Sequence, residues 1–317
     1  MSSEKSAGLA PPEHRDVAGG LPSDDVPTVP LRHPWRWASA VAVVLLLLWF
    51  LDVLVTTDAF QWGVVGQYLF SGTVLSGVVH TLEMTVLCML IGMVIGTVIA
   101  VMRLSPNPVL NRVAHLYQWF FRGTPPLVQL IFWFNLASVF PAIGLTVFGT
   151  EVFSFNTNSV MTPFVAALLG LGLSFSAYYS EIVRAGILSV DEGQADAARA
   201  YGLTRFQTLR HIVLPQAMRV IIPPTGNEAI GMLKFTSLAT IVSYSELLQT
   251  VSAIYNTNFQ TIPLLIVAAL WYLFMTSVLS IGQYFLEKRF ARGSRQVGRQ
   301  PAMYRFWSSV LRRVRQA

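Results

Sequence analysis

Six polar side chains stand inside or beside long apolar runs: Glu83, Thr124, Gln129, Asn227, Glu228 and Lys234. An ionisable group in such a setting is costly to keep, so each is a functional candidate by default. Two carboxylates, two amides, a hydroxyl and one ammonium could hold a small polar solute by charge pairing and hydrogen bonding. Packing alternatives stand beside that reading. Glu228 and Lys234 could each pair with a group on another helix, but hardly with each other, because six residues is about a turn and two-thirds. Glu83 could snorkel outward near a mouth. Other chemistries find little here: no catalytic constellation is visible, and the histidines (His14, His33, His80, His115, His211) lack metal-ligand spacing. A phosphate-binding loop needs Gly-Lys-Ser/Thr, and none of Lys5, Lys234 and Lys288 follows a glycine. No metal and no bound cofactor are expected.

The elements that must position these groups are membrane helices. Of 317 residues 53% are hydrophobic and 12% charged, with a mean hydropathy of +0.54. A soluble domain carries roughly 25% charged residues, so most of this surface faces lipid. Residues 1–34 hold six prolines among Gly, Ser and Asp, and are expected to form a disordered tail. No apolar stretch lies close enough to the start for a secretory leader. Six spans follow. They are Trp37–Val55, Gly77–Met102, Leu127–Ile143, Pro163–Ser180, Pro224–Tyr244 and Ile262–Phe285, each about long enough for a ~30 Å core. Gly92 and Gly96 in the second, and Gly170, Gly172, Ser174, Ser176 and Ala177 in the fourth, offer faces for close helix contact. Cys88 is the single cysteine, so no intrachain disulfide exists. The fold class is therefore all-α, a polytopic membrane protein.

The net charge of +6 is a topology signal and not a nucleic-acid footprint. Four basic residues precede the first span, three lie between the second and third, five in the polar stretch after the fourth, and nine in the C-terminal tail. The intervening segments, Asp52–Ser76, Asn135–Thr162 and Ser245–Ile262, contain none. Basic loops mark the cytoplasmic side, so both termini and the 181–219 stretch are expected inside.

Within that stretch, residues 191–201 read as a short helix with acids at its head and alanines along it. Gly202 falls where a left-handed residue commonly ends a helix. A second segment, Thr204–Val213, is expected to stop before Pro215. The spacing Asp196-Ala197-Ala198, Gly202, Ile212-Val213-Leu214-Pro215 resembles the "EAA loop" of bacterial ABC importer permeases, with Asp196 in place of the usual Glu. The resemblance implies that Asp196, Ala197, Ala198, Gly202, Ile212, Leu214 and Pro215 belong to a loop coupling the chain to an ATPase. There Tyr201 and Leu203 would supply apolar contact, and Arg199 and Arg205 would meet partner carboxylates.

Two further stretches are similar to the polar amino acid branch of that family, which handles histidine, arginine and glutamine. One is Phe121-Arg-Gly-Thr-Pro-Pro-Leu-Val-Gln-Leu130, where Pro126 replaces the usual Leu. The other runs from Leu214 to Leu238, where Phe235 replaces the usual Asp. The resemblance covers about 77–289. It implies a type I importer permease core of five helices, here with an extra N-terminal helix over 35–57 and a basic tail over 290–317. It also implies a multi-pass protein of the bacterial plasma (inner) membrane. Its partners would be separate ABC ATPase subunits carrying ATP and Mg, a second permease subunit (identical or not) and an extracytoplasmic amino-acid-binding protein. Two buried acids against one base favour a solute with positive charge to spare, although an α-amino group alone would satisfy one carboxylate. A stand-alone secondary transporter or channel is the alternative; it would not need the loop spacing.

Overall fold

The structure, a computed structural model, describes residues 34–147 and 150–290. The expected disordered tail and nearly all of the basic C-terminal tail lie outside the described residues. The N-terminal helix α1 (Pro34–Thr56) belongs to a unit of its own. Its apolar residues run around the whole circumference, as in a membrane span.

The second unit begins with a single 3-10 turn and α2 (Trp62–Leu69), followed by α3 (Gly72–Leu104), α4 (Pro108–Gly123), α5 (Pro126–Phe134) and α6 (Leu136–Val139). A two-stranded antiparallel hairpin, β1 (Ala142–Val147) with β2 (Thr150–Asn156), is the one described departure from an all-α chain. Then come α7 (Thr157–Val160), α8 (Pro163–Leu188), α9 (Glu192–Ala200), α10 (Arg205–Thr208) and α11 (Leu214–Phe235). A π-helical turn at Leu209–Val213 precedes α11 and a 3-10 segment at Thr236–Val242 follows it. The last helices are α12 (Leu247–Asn258) and α13 (Thr261–Phe290).

Four described helices are long and apolar enough to cross a membrane: Ala38–Thr56 within α1, then α3, α8 and α13. The third and fifth expected spans take other forms. Residues 127–143 are not one helix, because α5 is only nine residues and the chain turns at Asn135, whose side-chain amide donates to the Ile131 carbonyl at 2.8 Å. The helical chain on its other side is α4, set off by Pro125 and Pro126. The fifth begins ten residues earlier than Pro224, at Leu214, and runs through Pro215, Pro223 and Pro224. Proline is tolerated at the head of a helix. In the interior, neighbouring groups supply hydrogen bonds near the break. Gln283 Nε2 donates to the Pro223 carbonyl at 2.7 Å, and the Thr225 hydroxyl to the Ile221 carbonyl at 2.7 Å.

Small residues let the central helices meet. A Cβ added to Gly96 of α3 would stand 2.6 Å from the Ser176 carbonyl oxygen of α8, and one at Gly92 would stand 2.2 Å from a Phe175 ring carbon. That proximity is the close-packing face expected of this spacing. Around it lies a core of Met84, Cys88, Leu171, Phe175 and Ile221. A second cluster gathers Val74, Leu233, Leu247, Val251 and Leu264 where α3, α12 and α13 converge.

The outward faces invert the pattern of a soluble protein. In α4, Asn111, His115, Gln118 and Arg122 share one face at helical spacing, and Val109, Val113, Leu116 and Phe120 share the opposite one. Gln118 is buried and bonds Ser180 of α8 at 2.8 Å and Arg103 of α3 at 3.2 Å, whereas the four apolar side chains are exposed. Leu273, Phe274, Val278, Ile281 and Phe285 of α13 are exposed likewise. Such a continuous apolar exterior is suited to lipid.

Candidate functional site

Of the six polar candidates, Glu83 lines a cavity, although it is exposed and not buried as expected. It sits eleven residues into α3, about 17 Å along the helix from its start at 1.5 Å per residue. The space beside it measures 410 Å³ and is lined by His80 and Glu83 of α3, Thr162 to Phe164 at the head of α8, and Ser243 to Ser245. That volume falls in the range of small-molecule sites, about 300–1,000 Å³. One carboxylate faces aromatic rings there. The Tyr244 ring lies 5.9 Å from Phe164 and 6.3 Å from the His80 imidazole, centroid to centroid. A carboxylate beside aromatic faces can hold a cation by charge and by the ring quadrupole.

The backbone builds this wall deliberately. Ser243 takes a left-handed conformation (φ 58°) where the 3-10 segment ends, which turns Tyr244 and Ser245 toward α3. His80 Nδ1 lies 2.9 Å from the Ser245 carbonyl. Behind them, Glu246 is wholly buried and caps α12, accepting from the backbone N–H groups of Leu248 (2.9 Å) and Gln249 (2.7 Å). The hydroxyls of Thr240 and Tyr272 also donate to it, both at 2.7 Å. Thr81 Oγ1 accepts from Leu247 N–H at 3.0 Å and so binds this corner to α3.

The other five candidates do not line that cavity. Thr124 and Gln129 meet each other. Gln129 Nε2 donates to the Thr124 hydroxyl (2.8 Å) and to the carbonyls of Thr124 and Phe121, clamping the turn between α4 and α5. The Gln129 Oε1 is buried with no partner among the described residues. Asn227 and Lys234 are exposed and Glu228 is half-buried, all on α11. Among the described residues neither Glu228 nor Lys234 forms an ion pair.

At the far end of α11 the 191–215 stretch folds into a helical hairpin. Asp191 Oδ1 accepts from the Gly193 N–H at 2.9 Å and caps α9. Gly202 is left-handed, φ +82°, with open space where a Cβ would stand. Thr204 and Gln207 form a reciprocal capping box at the start of α10. Three expectations need correction. The second segment does not stop before Pro215, because the wide π turn at Leu209–Val213 carries the chain continuously into α11, where Pro215 occupies the first turn. Ala198, expected on a small alanine face that seats in a partner's groove, is instead buried within the hairpin. Arg199 is paired with Asp196 of its own helix. The most exposed large apolar groups of the hairpin are Tyr201, at 88%, and Phe206, at 68%.

The model of the family described as "Binding-protein-dependent transport system inner membrane component" matches residues 89–292. The chain belongs to this family. It is a permease component of the amino-acid ABC importers. Relatives of this permease include the arginine transport system permease protein ArgU of Corynebacterium glutamicum, 47% identical over 84% of this chain and 83% of the relative. The L-cystine transport system permease protein TcyB of Bacillus subtilis is 35% identical over 76% of this chain and 96% of its own length. A crystal structure of an amino acid ABC transporter with histidines superposes with a TM-score of 0.58 at 33% identity, covering 68% of this permease and 94% of that chain.

Sequence reasoning missed the cavity's His80, Phe164 and Tyr244, and missed Glu246 altogether. The signal for Glu246 was present: it is the single charged residue between Lys234 and Glu287. A loop acid near an expected membrane face normally meets water, so the sequence alone does not mark Glu246 as buried.

Proposed function

We propose that this permease conducts a cationic amino acid, arginine being the best fit, from an extracytoplasmic binding protein into the cytoplasm. The observation that carries the choice of solute is the 410 Å³ cavity in which Glu83 is the one carboxylate, beside the Tyr244, Phe164 and His80 rings. The name of the 47% identical relative, an arginine permease, supports the same choice. In this reading Glu83 holds the side-chain cation, and Glu228, half-buried and unpaired among the described residues, serves the solute further along the path. Asn227, Lys234, Thr124 and Gln129 complete the proposed set of polar groups along the path.

Both termini face the cytoplasm, and α1 is an additional span before a five-helix core at about 77–289. The hairpin 191–215 seats on a separate ATPase, which supplies ATP and Mg, with exposed Tyr201 and Phe206 as its apolar contacts. This chain hydrolyses nothing itself. A second permease subunit completes the pore. Membership in a binding-protein-dependent family leaves the stand-alone transporter reading without support.

The test is reconstitution with the ATPase and binding protein, measuring which amino acids stimulate ATP hydrolysis and uptake. Arginine, lysine or histidine should stimulate most. Glu83→Gln should lower uptake of these by about tenfold, the value of one charge-assisted contact of roughly 1.4 kcal/mol, while uptake of any neutral amino acid falls less. Stimulation by glutamate alone, or equal loss for cationic and neutral solutes, refutes the assignment.

A further inference from the structure

Beside the packed polar face of α4 are two adjoining cavities, of 610 and 460 Å³, which share Arg103, His115 and Trp119 in their walls. The first also includes Arg112 and the second Arg122. Four basic side chains, Arg103, Arg112, His115 and Arg122, therefore line the two cavities. Glu181 is the one carboxylate in the lining, and it is paired with Arg184. Arg103 is held in place, donating to Gln118 at 3.2 Å and Asn111 at 2.8 Å. Arg112 is exposed and without an ion pair among the described residues, as is Arg122, whose guanidinium lies 5.4 Å from the centre of the Tyr178 ring. A concentration of positive charge with so little internal compensation attracts an anion.

The setting decides which anion. The cavities open beside the apolar face of α4, where Val113, Leu116 and Phe120 are 52%, 62% and 49% exposed, and Trp119 is 68% exposed at the boundary. Tryptophan suits the headgroup level of a bilayer, where an apolar ring and a polar edge both find partners. A soluble anion would use the charges and ignore the apolar face. A phospholipid uses both, its phosphate among the cations and its acyl chains along the exposed side chains. Basic pockets between helices on the cytoplasmic side are suited to such headgroups. The transported solute is excluded because its charge has the wrong sign, on the reading given above.

We propose that these joined cavities bind the headgroup of an anionic phospholipid of the cytoplasmic leaflet, with Arg112, His115 and Arg122 around the phosphate and Trp119 beside the glycerol. The leaflet rests on the topology in the proposed function; the binding itself does not. Arg103, already committed to Gln118 and Asn111, fixes the floor of the site.

The complete chain in mixed micelles, with phosphatidylglycerol or phosphatidylcholine brominated on the acyl chains, provides the test. Tryptophan quenching is read as the difference between the native chain and Trp119→Phe, which isolates one of the eight tryptophans. Brominated phosphatidylglycerol should quench Trp119 at lower mole fraction than brominated phosphatidylcholine. Arg112→Gln and Arg122→Gln should each weaken that preference about fivefold, as expected for one basic side chain near a charged surface. Neither variant breaks an ion pair among the described residues, so both should fold. Inorganic phosphate should displace no more lipid than chloride at the same ionic strength. Equal quenching by the two lipids, preference unchanged in both variants, or specific displacement by phosphate each overturns the proposal. Labelling of single cysteines from either side reads the topology separately, so a wrong leaflet and an absent site are distinguishable.

Discussion

Replacing Glu246 by glutamine keeps the shape of the side chain and changes one oxygen to an NH₂ group, and the structure says what that must do. Each carboxylate oxygen accepts twice. Oε1 takes the Thr240 hydroxyl and the Gln249 N–H, and Oε2 takes the Leu248 N–H and the Tyr272 hydroxyl. Whichever way the amide is turned, its NH₂ meets one hydroxyl and one backbone N–H. The hydroxyl can rotate to accept. The backbone N–H cannot, and it is left facing another donor in a site with no exposure to solvent. A buried unsatisfied donor costs about 1–3 kcal/mol, and the loss of charge assistance to the remaining bonds adds about 1 kcal/mol. The favourable meeting of the carboxylate with the α12 N-terminus is lost as well.

The expected destabilisation is about 2–4 kcal/mol, which in a unit of this size lowers Tm by roughly 5–15 °C. Thermal unfolding of the purified chain in micelles measures it, and hydrogen exchange locates it: the amides of Leu248 and Gln249 should lose protection before those of α3. Because Ser243, Tyr244 and Ser245, just ahead of Glu246, line the cavity proposed to take the solute, the variant should also raise KM for the solute more than it lowers maximal uptake. A Tm within about 1 °C of the native chain would refute the reasoning, since no arrangement of the amide satisfies all four donors.

Three further substitutions have expected outcomes. Gly96→Ala places a methyl 2.6 Å from the Ser176 backbone carbonyl, which no side-chain rotation relieves, and should cost about 1–3 kcal/mol in the same unfolding assay. Gly202→Val should leave the chain inserted and folded, because space is open there. It strains a left-handed backbone by about 1–2 kcal/mol and should cut solute-stimulated hydrolysis by the ATPase and its co-purification; normal values for both would remove Gly202 from the coupling loop. Glu228→Gln should lower uptake of arginine, lysine or histidine more than that of glutamine, and competition with labelled solutes reads it; an equal loss makes Glu228 a packing residue.

What the sequence discloses here follows from range. Apolar runs such as Val41–Leu48 and the glycines at 92 and 96 are local patterns, and α1 and α3 stand where those patterns put them. Asp191 at a helix head and left-handed Gly202 are also local, and both hold. The misreadings occur where distant groups change a local preference. Three prolines argue for a late start to α11, yet the helix runs through them, packed against α13, whose Gln283, sixty residues on, donates to the Pro223 carbonyl beside the break. Ala198 could be read as an outward contact from spacing alone, and only the fold of 204–213 back onto α9 buries it. The cavity is the extreme case. Its walls come from residues 80–83, 162–164 and 243–245, and no periodicity brings those three stretches together.

The two ends of the permease are nevertheless joined by one stretch of chain. Residues 209–242 run from the hairpin to the cavity wall without a loop, as a π turn, then α11, then a 3-10 segment. Regular α-helix would carry a displacement rigidly from end to end. This segment departs from that regularity at both ends and at Pro223–Pro224 in between, the kinds of places at which a helix bends. The far end is fastened. Ser243 and Tyr244 follow directly, and Glu246 ties the next turn to Thr240 and to Tyr272 of α13. On the proposed function, a push received at Tyr201 or Phe206 would pass through the hairpin into this element and reach Tyr244, with defined bending points and a buried anchor to react against. Coupling between an energy source on one side and a solute site on the other needs an element of that kind, biased from both ends.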